Sequence, residues 1–327
     1  MSQEAAPPFF VVGADRSGTT LLRLYLDANS NLAIPSESWF LIDLLERFGP
    51  RGVLDADGVS EALAIVSAHP RFVDGWHVDL ARLRRDLRPN APLRLAELVD
   101  ALFRAETHAP AEVTWGDKTP EYVGHLPALA SCFPGARFVN IVRDGRDVYL
   151  SLATRRWSDR GYTPYELGRY WSSCVAAARE AGRELGERYL EVRYEDLVLE
   201  TPSVLQRVCD FLGVTFEEAM LAAHDRASLL MTTSEREAGV HDKLSRPPRP
   251  SDVGRWRDVR TGLSSLRLAA GVMAGQLSLA GYRDAPPPLP SAALRGLAAG
   301  DHFYRRRLRP RLRRIARRLG AGARGPA

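Results

Sequence analysis

The stretch that most restricts this chain runs from Phe9 to Ala28. Phe9-Phe10-Val11-Val12 is a short aromatic and β-branched run that reads as a buried strand. It ends at Gly13, and from Thr20 to Ala28 the apolar residues Leu21, Leu24 and Tyr25 fall at helical spacing. Between them lies Gly13-Ala14-Asp15-Arg16-Ser17-Gly18-Thr19-Thr20, whose G-x-x-x-x-G-x-T spacing is that of a phosphate-binding P-loop. A loop of this shape, entering a helix N-terminus, aims several backbone N–H groups at one anion. Ser17, Thr19 and Thr20 add hydroxyl donors, and Arg16 adds a delocalised charge. Thr19 stands where a nucleotide kinase has lysine, the residue that reaches the outer phosphates of ATP, and no second acidic site for Mg²⁺ is evident. The loop therefore suits a compact phosphate or sulfate group held without a metal. Taken alone, it is also consistent with a Gly-rich turn before an ordinary helix.

Further along, Arg137-Phe138-Val139-Asn140-Ile141-Val142 reads as a strand leading through Arg143-Asp144-Gly145 into a helix from about Arg146 to Arg155. Tyr189 to Tyr194 reads as a third strand. A helix follows it, with Thr201 as its cap, Pro202 at its first position and Gly213 at its stop. Strands alternating with helices predict an α/β fold, a P-loop-like, mainly parallel sheet flanked by helices. Amphipathic segments broken by Gly49-Pro50, Pro70, Pro89 and Pro92 make the region from about 39 to 112 a helical insertion. One domain is expected over residues 1–285, with 286–327 a Pro-rich linker and basic tail.

Charge bears mainly on that tail. The formal net charge is +5, yet the nine arginines between Arg305 and Arg318, with no acidic residue among them, more than account for it. Leu308, Leu312, Ile315 and Leu319 share one face there, which fits either a basic amphipathic helix on an anionic membrane or polyanion, or a solvated tail. No nucleic-acid motif accompanies the basic run, so no nucleic-acid partner is expected. Cys132, Cys174 and Cys209 have neither metal nor redox spacing and read as buried thiols. With no signal-like N-terminus and no bilayer-length apolar segment, a cytoplasmic location is expected, with peripheral membrane contact through the tail as an extension.

The run "FVVGADRSGTTLL" (Phe10 to Leu22) resembles the 5′-phosphosulfate loop of sulfotransferases, particularly the bacterial and tyrosylprotein groups that share R-S-G-T-T. "IVRDGRDVYLS" (Ile141 to Ser151) is similar to the family's 3′-phosphate segment, with Arg143 at a strand end and Ser151 eight residues on. "WGDKTPEY" (Trp115 to Tyr122), "VRYEDLV" (Val192 to Val198) and "GRWR" (Gly254 to Arg257) extend the resemblance from about Phe9 to Tyr282. It implies 3′-phosphoadenosine 5′-phosphosulfate (PAPS) as co-substrate, no metal, and direct in-line transfer of a sulfuryl group to an acceptor hydroxyl. The acceptor it implies is a small molecule, glycan, lipid or peptide. It further implies that Arg16, Ser17, Gly18, Thr19 and Thr20 hold the 5′ end. Arg143, Ser151, Arg155, Tyr194 and Arg255 serve the adenosine bisphosphate; Arg255 replaces a lysine of some relatives, so its contact geometry differs.

Sulfuryl transfer needs a base for the acceptor proton and positive charge around the transferring oxygens. By its offset from the R-S-G-T-T loop, Glu37 matches the glutamate base of the tyrosylprotein group, and burial is expected to raise its pKa. Read alone, Glu37 is equally consistent with a solvated glutamate or helix cap. Lys118 matches a lysine that supports the leaving phosphate, though a lysine in a Gly/Pro-bounded loop also reads as plain surface charge. Arg16 is the third catalytic candidate. His125 and His241 are not at the position of the histidine base in the cytosolic small-molecule enzymes. The competing enzyme reading is a small-molecule or nucleotide kinase with an altered P-loop.

Overall fold

All four residues of Phe9–Val12 are buried, because neighbouring strands hem the segment in on both edges and helices cover both faces. The computed structural model describes residues 6–87, 92–153, 162–229, 244, 246–286 and 288–303. The order opens with β1 (Phe9–Val12), α1 (Thr19–Leu26), β2 (Leu32–Ala33), α2 (Phe40–Phe48), β3 (Val53–Leu54), α3 (Ala56–Ala68) and α4 (Pro70–Gly75). It continues with α5 (Leu80–Asp86), β4 (Leu93–Arg94), α6 (Leu95–Thr107), β5 (Thr114–Lys118), α7 (Leu126–Cys132), β6 (Arg137–Val142) and α8 (Gly145–Ala153). Last come α9 (Pro164–Leu185), β7 (Tyr189–Arg193), α10 (Tyr194–Leu199), α11 (Thr201–Leu212), α12 (Leu263–Leu279) and α13 (Ser291–Phe303).

The chain divides into two compact units, one of residues up to 143 with 177–253, the other of 144–176 with 254 onward. The first holds a five-stranded parallel sheet in the order β2-β5-β1-β6-β7. Alternation along β1 serves two cores. Phe9 and Val11 join the cluster with Leu21, Leu22, Tyr25, Val139, Leu205 and Val208, contributed by α1, β6 and α11. Phe10 faces the other way, stacked 5.4 Å from Phe138 and edge-on to Trp115. Trp115 in turn stacks 4.2 Å from Phe103 of α6, so the helical insertion shares the core of the sheet.

Two strands of the parallel sheet escape the sequence reading. β2 has only two residues, and β5, Thr114–Lys118, carries a glycine and two charges on a wholly buried strand. The expectation of a loop around Lys118 is corrected accordingly. A second correction concerns Thr201: its hydroxyl donates to Leu197 O at 2.7 Å, and Glu200 takes the cap position without a side-chain bond. Gly213 ends α11 in the left-handed region as expected. The insertion contains helices α2 to α6 and also a small antiparallel pair, β3 with β4.

In the second unit, α8 packs where Gly145 meets Met273 and Trp171, a contact with no space for a Cβ. Among the described residues no helix is long and apolar enough to cross a membrane. The run from Arg305 to Arg318 lies outside the described residues.

Gly18 adopts φ 106°, and a Cβ there would lie 2.5 Å from Tyr194 Cδ2. Gly18→Ala is expected to cost about 1–3 kcal/mol, read as a lower urea midpoint. An unchanged midpoint would mean that the loop relaxes freely.

Candidate active site

The first feature of the site is the bend between β1 and α1. Gly13 passes so close to β6 that a Cβ would stand 2.5 Å from Ile141 O. The chain then turns through Arg16 at φ 68° and Gly18 into α1, whose first turn carries no acidic residue. Its leading amides have no carbonyl partner within the helix and present partial positive charge to the loop. Ser17 and Thr19 are buried, and Ser17 Oγ has no hydrogen-bond partner among the described residues. Such an orphaned hydroxyl costs about 1–3 kcal/mol unless something polar fills the loop.

Arg143, the last residue of the first unit, braces this bend. Its guanidinium donates to Arg16 O at 3.3 Å and to Asp252 O at 3.0 Å, and lies 4.1 Å from the Tyr194 ring centroid. Arg143 and Tyr194, picked from separate motifs, are therefore in contact. Tyr194 also packs against Gly18.

The second feature is an ion pair. β1 and β5 are paired so that Val11 stands opposite Lys118, which brings the lysine to the mouth of the loop. Lys118 is 0% exposed; its Nζ donates to Glu37 Oε1 and, at 3.3 Å, to Thr20 Oγ1. Glu37 Oε2 accepts from Trp39 Nε1 at 2.7 Å and lies 4.0 Å from the Arg71 guanidinium. Arg71 comes from α4 of the insertion and sits 5.5 Å over the Trp39 ring. Three of the expected residues, Glu37, Lys118 and Thr20, thus meet at one point. The expected rise in the Glu37 pKa is corrected. Burial does push the carboxyl up, but the Lys118 charge, the bonds from Lys118 and Trp39, and Arg71 outweigh it and hold Glu37 below the usual carboxylate range. It is ionised at neutral pH, the form that accepts a proton.

A third feature has no counterpart in the sequence reading. Asp117 is buried on β5 and accepts from Ser38 Oγ and from Thr119 Oγ1, the latter at 2.7 Å. Ser38 Oγ also pairs with Tyr122 OH at 2.6 Å, and Ser38 N–H donates to Thr119 Oγ1 at 3.3 Å. The only sequence signal was an aspartate directly before Lys118 in the motif that begins at Trp115.

A model of the sulfotransferase family matches residues 7–218, well over half of the chain. The chain belongs to the sulfotransferase family. A zebrafish (Danio rerio) relative named protein-tyrosine sulfotransferase 1 is 26% identical over 267 residues, covering 76% of this chain and 65% of its own. A Mycobacterium tuberculosis relative named omega-hydroxy-beta-dihydromenaquinone-9 sulfotransferase is 24% identical over 253 residues, covering 64% and 63% respectively. The chain thus spans a little under two thirds of the length of these two curated relatives. Among solved structures, the sulfotransferase domain from the curacin biosynthetic pathway superposes with a TM-score of 0.55 at 24% identity, covering 84% of this chain and 99% of that one. The likeness establishes a sulfotransferase fold.

Ser151 and Arg255 belong to the second unit. Ser151 is half-buried on α8, and Arg255 is exposed in the turn Arg255–Asp258 of the second unit. Within that unit the neighbouring motif residues do structural work. Asp147 accepts from the N–H groups of Gly254 (2.8 Å) and Trp256 (2.9 Å). Arg146, paired with Asp144 at 2.7 Å, lies 3.6 Å from the Trp256 ring centroid. His125 is half-buried at the start of α7. Arg155 and His241 lie outside the described residues.

Since the folded pKa of Glu37 is depressed, its stabilising contribution is fully present above its ordinary value of 4.5 and is lost as pH falls through the lower folded value. Urea unfolding at stepped pH should therefore give a flatter acid limb for Glu37→Gln than for wild type. Identical limbs would mean that the pair does not depress the Glu37 pKa.

Proposed function

We propose that the protein transfers a sulfuryl group from PAPS to an acceptor hydroxyl by direct in-line displacement. The observation that carries this reading is the meeting of Lys118, Glu37 and Thr20 at the mouth of a phosphate loop that has threonine in place of its usual lysine. PAPS supplies the activated sulfuryl group and a 3′-phosphate that distinguishes it from ATP. The residues present suit it: the orphaned Ser17 hydroxyl, the Thr19 and Thr20 hydroxyls and the leading amides of α1 form a donor-rich cradle for the 5′ end.

In this reading Glu37 takes the proton of the acceptor hydroxyl as that oxygen attacks. Lys118 and Arg16 carry positive charge to the oxygens that gain negative charge, the role for which preorganised cations are most effective. Lys118 releases Glu37 as the anionic donor arrives, since one ammonium in a buried site goes to the stronger negative field. Arg143 and Tyr194 are assigned to the adenosine bisphosphate together with Ser151, Arg155 and Arg255, an assignment that rests on the family resemblance. The transfer domain is assigned to residues 1–285 and the basic run after it to peripheral contact with anionic surfaces, in a cytoplasmic protein.

The acceptor is a hydroxyl compound. The two named relatives are called after acceptors as different as a protein tyrosine and a hydroxylated quinone lipid, and a hydroxyl is what those acceptors share. Arg71 and Trp39, set beside Glu37 from the insertion side, are the residues assigned to meet it.

Calorimetry without Mg²⁺ is expected to show binding of adenosine 3′,5′-bisphosphate in preference to ATP, weakened by Arg143→Ala. Glu37→Gln should keep that binding and lose about 10²–10⁴-fold in turnover. A preference for Mg²⁺-ATP would replace this reading with the kinase one, and wild-type turnover in Glu37→Gln would remove Glu37 from the role of base.

A further inference from the structure

A buried carboxylate must be paired or it is expelled from the interior, so the partners of Asp117 indicate what it does. Those partners are unusual in their placement. Ser38 follows Glu37 in sequence, and Asp117 and Thr119 flank Lys118. Sheet pairing between the two segments ends at Ala33 with Trp115, short of both Glu37 and Lys118. Beyond that point the peptide carrying Glu37 is tied to the end of β5 through side chains. Ser38 Oγ and Thr119 Oγ1 both donate to Asp117, Tyr122 OH donates to Ser38 Oγ, and Ser38 N–H donates to Thr119 Oγ1. Tyr122 stays protonated for this purpose: burial, and then the Asp117 charge, hold its pKa well above the usual tyrosine value.

We propose that Asp117 is a positioning residue for the transfer: by holding Ser38 and Thr119 it sets the Glu37 carboxylate against Lys118 Nζ. The proposal deepens the sulfotransferase reading and rests on it for the reaction concerned. A covalently adjacent lysine and a serine-linked glutamate cannot both drift while one carboxylate holds the residue next to each. Without Asp117 the Pro35–Trp39 peptide keeps its end anchored at Ile34, where Arg23 donates to the carbonyl at 3.1 Å, but beside Glu37 it loses the carboxylate that orients both the Ser38 and Thr119 hydroxyls.

A pH signature follows. The groups facing Asp117 are the Glu37 carboxylate, the Lys118 ammonium and the hydroxyls of Ser38, Thr119 and Tyr122. Burial raises the Asp117 pKa most and Glu37 adds to it; the two hydroxyl bonds and Lys118 hold it down, leaving it at about 6. Above that pH the carboxylate accepts from both hydroxyls. As pH falls through it, one oxygen gains a proton and becomes a donor, and one hydroxyl must turn away. The clamp therefore opens before Glu37, held below its usual range, is itself protonated.

The deciding experiment is carboxyl ¹³C NMR of the substrate-free full chain across pH 4 to 8, with signals assigned by Asp117→Asn and Glu37→Gln. The expected result is a step near pH 6 at Asp117 that also moves the Glu37 signal and disappears from it in Asp117→Asn. In turnover of PAPS with 4-nitrophenol or water as acceptor, Asp117→Asn should lower kcat about 10²-fold, leave the KM for PAPS unchanged and abolish the acid limb near pH 6. It should add little in a Glu37→Gln background, whereas a merely structural loss would add in full. Ser38→Ala, which leaves the aspartate in place, should give an intermediate fall in kcat if Asp117→Asn does not fold. A Glu37 signal indifferent both to the pH 6 step and to Asp117→Asn, or to Ser38→Ala where Asp117→Asn does not fold, overturns the proposal. Absence of adenosine 3′,5′-bisphosphate binding would sink the sulfotransferase reading instead, while the NMR result would still decide whether Asp117 positions Glu37.

Discussion

An ammonium group taken wholly out of water needs a counter-charge and hydrogen-bond acceptors, and Lys118 obtains them from two different segments. Glu37 supplies the charge and Thr20 supplies an acceptor. Breaking such a buried pair by removing one partner typically costs about 3–5 kcal/mol, because the remaining charge is left without compensation. The loop after β2 and the start of α1 are therefore both bound to the end of β5 by one side chain. The rest of the site is arranged around that point. Asp117 of β5 and its hydroxyl partners flank it, and Arg143 with Tyr194 packs against the phosphate loop.

The same arrangement accounts for the threonine in the loop. A P-loop places its lysine at the start of the helix, on a flexible stem that reaches forward along a polyphosphate chain. Here the cation arrives from the neighbouring strand, level with Val11 and just short of the loop. In the proposed reading, a charge so placed serves a short anion seated in the loop rather than one extending from it. Thr20 of the same loop accepts from that buried strand lysine at 3.3 Å.

Charge in this molecule is used in two ways. Around Glu37 the cations Lys118 and Arg71 converge on one carboxylate and fix its ionisation. In the second unit Arg146 is saturated by Asp144 and by carbonyls of Arg283 and Asp284, and serves as a flat surface for Trp256. The two arginines Arg143 and Arg146 stand three residues apart in one motif, yet one braces a loop and the other packs a turn. A motif's residue types alone do not divide those tasks.

Local pattern was sufficient for much of this protein. The Phe9–Val12 strand, the glycine-bounded bend and the following helix are encoded by adjacent residues, as are the strand Arg137–Val142 and the glycine that stops α11. Their physics is short-range, being side-chain periodicity and backbone freedom at Gly18 and Gly213. Family motifs added Glu37, Lys118 and Arg143 as candidates, though not their surroundings. Tertiary structure alone made a strand of Thr114–Lys118, because its glycine and charges have poor strand propensity and only burial between β1 and β2 holds it extended. It alone lowered the Glu37 pKa where burial by itself predicts a rise, since the answer depends on a lysine 81 residues away in the chain. And it alone joined Ser38, Asp117, Thr119 and Tyr122, because a hydrogen-bond network between separate segments leaves no periodic trace in either one.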